Sequence, residues 1–347
     1  MSGLSDEIFV PHVGWLAVEP GDEVGLFLRQ GWFETSEQTL LWLYLREGDV
    51  VVDCGAHVGL FTVLAGRAAG TGGRVISIEP SPATAELLRQ NVARNGLGNV
   101  QVVQSAAGAS AGRAVLARQG DDGKSAYNHL GAAGAEGVEV DVVTLDELFE
   151  RQKVERAAFL KVDVEGFEID VLVGAARAIE AGKLPLVMVE FNELNLRREG
   201  KTTQDLFAAV ESRGMRFYGF DVDALRLVPR SYEGPIWYDN LFATADVEAV
   251  NRRLGEAGAG RQRIVREIVG RGKAAAKLRE AEYLAREVES FKAARAELEA
   301  RLGEMGARVS EMGEHVKAAA ESVRRADERA SEFERWAKEA DARSSDA

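Results

Sequence analysis

Residues Val50 to Thr62, reading Val-Val-Val-Asp-Cys-Gly-Ala-His-Val-Gly-Leu-Phe-Thr, leave this chain few ways to fold. Three consecutive valines suit a strand covered on both faces, as in a parallel sheet. Asp53 stands where that strand ends. Gly55 and Gly59 carry no Cβ, so the backbone there turns tightly and lets a bound molecule come close. A helix beginning near Val58 would aim its unpaired N–H groups at the same crevice. The next strand, Arg74-Val75-Ile76-Ser77-Ile78, ends in Glu79, 24 residues after Gly55. A carboxylate about 20 residues beyond such a turn is placed to accept hydrogen bonds from both hydroxyls of a ribose.

A strand–glycine–helix unit of this kind serves nicotinamide, flavin or S-adenosyl-L-methionine (SAM) cofactors. The dinucleotide fingerprint needs a glycine where His57 stands. The spacing Asp-x-Gly-x-x-x-Gly instead resembles motif I of the class I SAM-dependent methyltransferases. An NAD-dependent dehydrogenase of similar layered architecture stays open as an alternative, with His57 counting against it.

The chain has room for one large domain or two smaller ones at 347 residues. A formal charge of −13 argues against a general nucleic-acid binder, which would show a basic patch. The single cysteine, Cys54, excludes an internal disulfide framework and fits a reducing compartment. The first residues show no positive segment followed by an apolar run, and no stretch of about 18 apolar residues follows, so neither a signal peptide nor a transmembrane helix is expected. The expected location is cytoplasmic.

Residues 1–33 mix short apolar runs with Pro and Gly and read as short strands or a hairpin that extends a domain spanning 34–250. Thr35 and Gln38 have the spacing of a capping box ahead of a helix through Leu45. Glu34, just before it, reads as a dipole-stabilising carboxylate that could also reach a cofactor. Pro80-Ser81-Pro82 opens another helix, and Asn99 to Gln104 form a third strand followed by Ser105 and Ala106. The alternation of strands and helices implies a mostly parallel sheet of about seven strands with helices on both faces, a Rossmann-like arrangement. Residues 107–136 break that rhythm with a possible strand at Ala114–Ala117 and a Gly-, Ala- and Asp-rich loop, a composition suited to a lid. Lys124, Ser125, Tyr127, Asn128 and His129 are its polar or aromatic side chains, and His129 is a candidate base.

The second informative stretch is Phe159-Leu160-Lys161-Val162-Asp163-Val164-Glu165-Gly166-Phe167-Glu168. A buried strand there ends in carboxylates at i, i+2 and i+5 beside a glycine turn, at the carboxyl edge where open α/β sheets bind ligands. Glu165 and Glu168 also read as carboxylates favoured at a helix N-terminus, most simply so for Glu168. Together with Asp53 to Gly59, Ile78-Glu79-Pro80, Leu186 to Asn192 and Trp237 to Ala243, this segment resembles the FkbM family of SAM-dependent methyltransferases over roughly residues 34–244. His57 departs from the asparagine expected at its position. The resemblance implies SAM as cofactor. Gly55, Ala56, His57 and Gly59 would hold its methionine part, Glu79 its ribose and Ser105–Ala106 its adenine edge, with Asp53, Pro80 and Asp163 beside it. It implies methylation of a hydroxyl on a sugar, glycan or secondary metabolite. The protein must then align the acceptor oxygen and remove its proton. Asp163 is the first candidate for that work, with His57 and His129 behind it. Asp163 and Glu165 as a metal-binding pair is a lesser reading.

From about residue 261 the composition turns to Ala, Glu, Arg and Lys without proline. Apolar or alanine positions from Leu284 to Ala340 step by four and three, a heptad pattern broken at Arg295. Residues 261–341 are therefore expected to form a coiled-coil helix, as a homo-oligomer or with a helical partner. Its seam is poor in Leu and Ile, and Gly303, Gly306 and Gly313 each cost about 1 kcal/mol relative to alanine. A non-catalytic scaffold built on a methyltransferase-like fold is the remaining alternative.

Overall fold

The structure is a computed structural model and describes residues 6–31, 33–117, 129–131 and 137–345. The chain forms two compact units, Met1–Ala276 and Lys277–Ala347.

The first unit is built on an eight-stranded sheet. Its order is Arg226–Pro229, Arg216–Asp221, Asp239–Thr244, Val187–Phe191, Phe159–Val162, Val50–Cys54, Arg74–Ile78 and Val100–Val103. The last five run parallel, with Val52 opposite both Leu160 and Ile76. Asp239–Thr244 inserts antiparallel beside Val187–Phe191. The valine run lies at the centre with both faces covered: Val51 packs with Leu41 and Leu64, Val52 with Leu145 and Leu172. Helices such as Leu60–Ala69 therefore cover one face, and Leu145–Arg151 and Thr203–Glu211 the other. This mixed sheet between helix layers is a class I methyltransferase-like fold.

Several expectations need correction. The sheet has eight strands because Arg226–Pro229 folds back on Arg216–Asp221 as an edge hairpin. A separate four-stranded sheet joins Ala106–Ala107, Gly137–Val143, Gly112–Ala117 and His129–Gly131. The N-terminal region holds the expected hairpin, Asp6–Val10 with Gly14–Val18, but also a helix, Glu23–Gln30, whose N-cap Asp22 accepts from the Val24 N–H. Leu16, Val18 and Leu28 are buried in the main core, so this region is part of the domain. The capping box at Thr35 does not form. Glu34 is the N-cap, in left-handed backbone and without a side-chain cap bond, and Gln38 donates to the Phe33 carbonyl instead. Of the loop candidates, Lys124, Ser125, Tyr127 and Asn128 lie outside the described residues. His129 is placed only by its backbone, at the start of an edge strand.

The last helix, Ala259–Ser345, runs without a break at Arg295 and through Gly303, Gly306 and Gly313. Its first turns belong to the first unit, where Val265 and Ile268 are buried. In the second unit Val288, Leu302, Met305, Val309, Met312, Val316 and Val323 are all exposed. No helix among the described residues is long and apolar enough to cross a membrane.

Candidate functional site

The carboxyl ends of the parallel strands open onto a cavity of about 370 Å³, within the range of roughly 300–1,000 Å³ usual for small-molecule sites. Gly55, Ala56, His57, Gly59, Glu79, Pro80, Ser105 and Ala106 line it on one side of the central strand. Lys161, Asp163, Glu165, Glu190 and Asn192 line it from the strands on the other side. Phe27, Phe33, Glu34 and Tyr238 contribute further wall.

Four N–H groups of the glycine turn are engaged within the protein. Those of Gly55 and Ala56 donate to the Ile78 carbonyl, that of Gly59 to the Ala56 carbonyl, and that of His57 to Glu79 Oε2 at 3.0 Å. The glycines answer to the chain itself. A Cβ on Gly55 would lie 1.7 Å from the Asp163 carbonyl oxygen, and one on Gly59 2.4 Å from Leu88 Cδ1. Both residues also have positive φ, 75° and 97°. The helix starts at Leu60, two residues later than expected.

Glu79 is buried and fully oriented. Oε2 accepts from His57 and Oε1 from the Ser81 N–H at 2.9 Å. Burial pushes its carboxyl up to about 7, against the pull of those two donors. An ionised carboxylate has about four lone-pair sites, so each oxygen keeps one for a ribose hydroxyl.

Asp53 does not line the cavity. It is buried behind the turn, accepting from Thr62 Oγ1 at 2.6 Å, with Oδ1 3.8 Å from Lys161 Nζ. Lys161 is the residue that sequence reasoning passed over. Its buried Nζ donates to Asp163 Oδ2 at 2.9 Å and to the Gly55 carbonyl at 3.1 Å. Burial alone would lower its affinity for the proton, but Asp163, Asp53 and Glu34 raise it above the ordinary lysine range. Lys161 is thus a fixed cation that ties the two motifs together and orients Asp163. The i, i+2 spacing of Lys161 and Asp163 on one strand face is the signal that could have found it.

The acidic side is crowded. Burial, then the neighbouring Asp163 and Glu168, push Glu165 up to about 8. Burial, then Glu37 and Asp163, do the same for Glu34. Glu190 is raised well above the usual range by burial and by the facing carboxylates. Glu165 accepts from Asn195 Nδ2, and Glu34 Oε1 from Asn240 Nδ2 at 2.9 Å. Glu168 turns away from ligand work: its Oε1 accepts from the N–H groups of Val164 and Gly166, closing the turn after the strand. His57 Nε2 lies 3.9 Å from Asp22 Oδ2, and burial lowers its pKa. Five non-glycine residues among those described have positive φ, and three of them, Glu34, His57 and Glu165, line the cavity. Backbone strain of this kind collects where function over-determines the chain.

Residues 53–217 match the model of the Methyltransferase FkbM domain. That stretch carries the domain of a SAM-dependent methyltransferase enzyme, whose cofactor is SAM. Over 157 residues the chain is 28% identical to the hexuronic acid methyltransferase AglP of Haloferax volcanii, an overlap of 44% of this chain and 62% of that protein. The chain therefore spans less than two thirds of that relative's length. Among solved structures, it resembles a putative rRNA-methylase from Clostridium thermocellum at 10% identity and a TM-score of 0.37, over 64% of this chain and 95% of that one. It also resembles a SAM-dependent methyltransferase from Aquifex aeolicus at 15% identity and a TM-score of 0.34, over 62% and 91%. The fold assignment rests on the sheet order above and not on those two alignments.

Proposed function

We propose that the protein is a SAM-dependent O-methyltransferase acting on a hydroxyl of a sugar, glycan or secondary metabolite. The observation that carries this reading is the pairing of two sites across the central strand: Glu79, with lone pairs left for a ribose, and the Lys161–Asp163 pair facing the same cavity. The name of the matched relative, a hexuronic acid methyltransferase, favours a carbohydrate acceptor.

When bound, SAM would supply an electrophilic methyl group on a sulfonium sulfur, whose leaving group is a neutral thioether and whose transfer to a hydroxyl oxygen requires only that the hydroxyl proton be taken up. Glu79 would hold the ribose, Ser105 and Ala106 would border the adenine, and Gly55, Ala56, His57 and Gly59 would form the wall against the methionine part. Lys161 holds Oδ2 of Asp163, leaving Oδ1 to accept the hydrogen bond of the acceptor hydroxyl and take its proton. Holding the acceptor oxygen in a near-attack geometry is the larger part of the work, because proximity and orientation can supply several kcal/mol of a barrier, about 7–11 in the best cases. Phe27, Phe33 and Tyr238 form part of the wall of the same cavity. Asp163 is already balanced by Lys161, and Glu165 accepts from Asn195, so no step is assigned to a divalent cation.

The tail is proposed to pair with a second copy through its heptad face, with a helical partner as the alternative occupant. A cytoplasmic location belongs to the same proposal. Calorimetry with SAM and with NAD, followed by labelled-methyl transfer to a panel of sugars and cell-envelope glycans, tests the main reading. SAM binding and a methylated product are expected. NAD binding in place of SAM would establish a dehydrogenase, and SAM binding without any product a scaffold.

A further inference from the structure

The acidic side of the cavity has a property that hydroxyl methylation alone does not require. Glu190 is 6% exposed and lines the cavity, yet among the described residues nothing donates to its carboxyl, and Oε2 is buried without a partner. A buried carboxyl without donors is costly unless a ligand supplies them. Asn240 stands directly opposite Glu190 in the neighbouring antiparallel strand. It is equally buried, its Nδ2 is spent on Glu34, and its Oδ1 is also without a partner. Two unpartnered acceptors thus stand on register partners of neighbouring strands, and Glu34, Asp163 and Glu165 add three more carboxyl groups to the cavity that Glu190 lines. Lys161, the one lysine or arginine among the described residues lining the cavity, is already engaged by Asp163 and the Gly55 carbonyl.

A group suited to this environment brings several donors, no acceptor and a positive charge. An alkylammonium has three donors and no lone pair. Among the described residues lining the cavity, a carboxylate ligand would meet these four carboxyl groups and no uncommitted lysine or arginine, so a uronate is disfavoured. Tyr238 and Phe33 line the same cavity and offer aromatic surface on which the C–H face of a sugar ring can lie.

We propose that the acceptor is an amine-bearing sugar or amino polyol, and that Glu190 marks the subsite for its ammonium group. This rests on the methyltransferase reading and deepens it. The acceptor differs in charge from the hexuronic acid named for the matched relative. Glu190 fixes which molecule enters, and Asp163 remains the group that meets the reacting hydroxyl.

The test uses the full chain with SAM and three matched probes: glucosamine, glucose and glucuronate, each free and as a methyl glycoside. The expected order of kcat/KM is amino sugar first by about tenfold or more, as for a hydrogen-bonded charge pair, then neutral sugar, then uronate. Glu190→Gln should bring the amino-to-neutral ratio toward one, and its circular dichroism spectrum reports that it folds. A preference for the neutral sugar or the uronate overturns the proposal. So does a Glu190→Gln protein that keeps its amine preference, or one that instead loses affinity for SAM, which would give the carboxyl to the cofactor. SAM binding without transfer to any amino sugar or amino polyol overturns it as well. Failure to bind SAM at all overturns the methyltransferase reading on which it stands.

Discussion

Glu79 and Asp163 sit on opposite sides of the same strand and make separable demands on the reaction. Glu79 is held by two backbone N–H groups before any ligand arrives, so its loss should be felt in affinity. Glu79→Ala is expected to weaken SAM binding by a few kcal/mol at most, since hydrogen bonds to a charged group are worth about 1.5–3 kcal/mol each. Calorimetry on the folded variant checks this, and unchanged affinity would remove the ribose assignment. Asp163→Asn keeps the shape and the Lys161 contact but cannot take a proton. It should retain SAM binding and lose turnover by about 10²–10⁴-fold, the usual share of a general base. Full activity in single-turnover assays would move the base to Glu165, Glu34 or His57.

At the scale of elements, the junction of the glycine turn with the Phe159–Val162 strand holds the site together. Gly55→Ala would drive a methyl group into the Asp163 carbonyl, 1.7 Å from the ideal Cβ, at a φ of 75° that alanine resists. The expected outcome is destabilisation well above 1–3 kcal/mol, the approximate cost of ordinary overpacking, read as a large fall in urea midpoint or as insoluble expression. A variant as stable as the parent would mean that the two strands can separate at little cost. This junction also shows what could be read in advance. Val50–Val52 and the carboxylates of Asp163 and Glu79 announce themselves through local rules, namely buried strand, strand end and glycine turn. Lys161 is harder to read, because beyond its i, i+2 partner Asp163 its burial answers to Asp53 and the Gly55 carbonyl, 108 and 106 residues away in sequence and met only across the sheet. The helix Glu23–Gln30 was hidden by the glycines and prolines around it. The capping box at Thr35 failed because Glu34 takes the N-cap in left-handed backbone while Gln38 is drawn off to Phe33 and His12.

For the whole molecule, protons and chain length are the two levers. Glu79 at about 7, Glu34 and Glu165 at about 8, and the raised Glu190 hold protons in the folded state that an unfolded chain has already released. Above the unfolded carboxylate range the native state therefore binds more protons than the unfolded state, and stability falls as pH rises through the folded values. His12 and His57, shifted down, act in the opposite direction only below about 6.5, the ordinary histidine value. Without ligand, the melting temperature is thus expected to drop between pH 6.5 and pH 8.5. A flat or rising profile would show that these carboxyls are solvated. As to length, Val265 and Ile268 are buried and Arg261 donates to the Trp42 and Ala68 carbonyls. Truncation near Ala259 would remove part of the core, with about 1.5–3 kcal/mol for each apolar side chain. Truncation after Ala276 should leave a monomer that binds SAM as the full chain does, while the full chain is an oligomer by light scattering. The charges of residues 261–347 nearly cancel, 19 basic against 18 acidic, so like copies need not repel. A dimer that survives truncation would place the interface in the catalytic domain, and a monomeric full chain would leave the heptad face for another protein.

Cys54, the last residue of the central strand, has a practical consequence. It is the chain's single thiol, fully buried, and burial pushes it above the ordinary cysteine range. A thiol-reactive dye can reach it only when the middle of the sheet opens, so the wild-type protein carries its own clock for that opening, with no label to engineer. Where reclosing is fast, the labelling rate follows the population of the open form. Any compound that slows the dye has closed the sheet more tightly, which makes Cys54 a screen for ligands whose chemistry is still unknown.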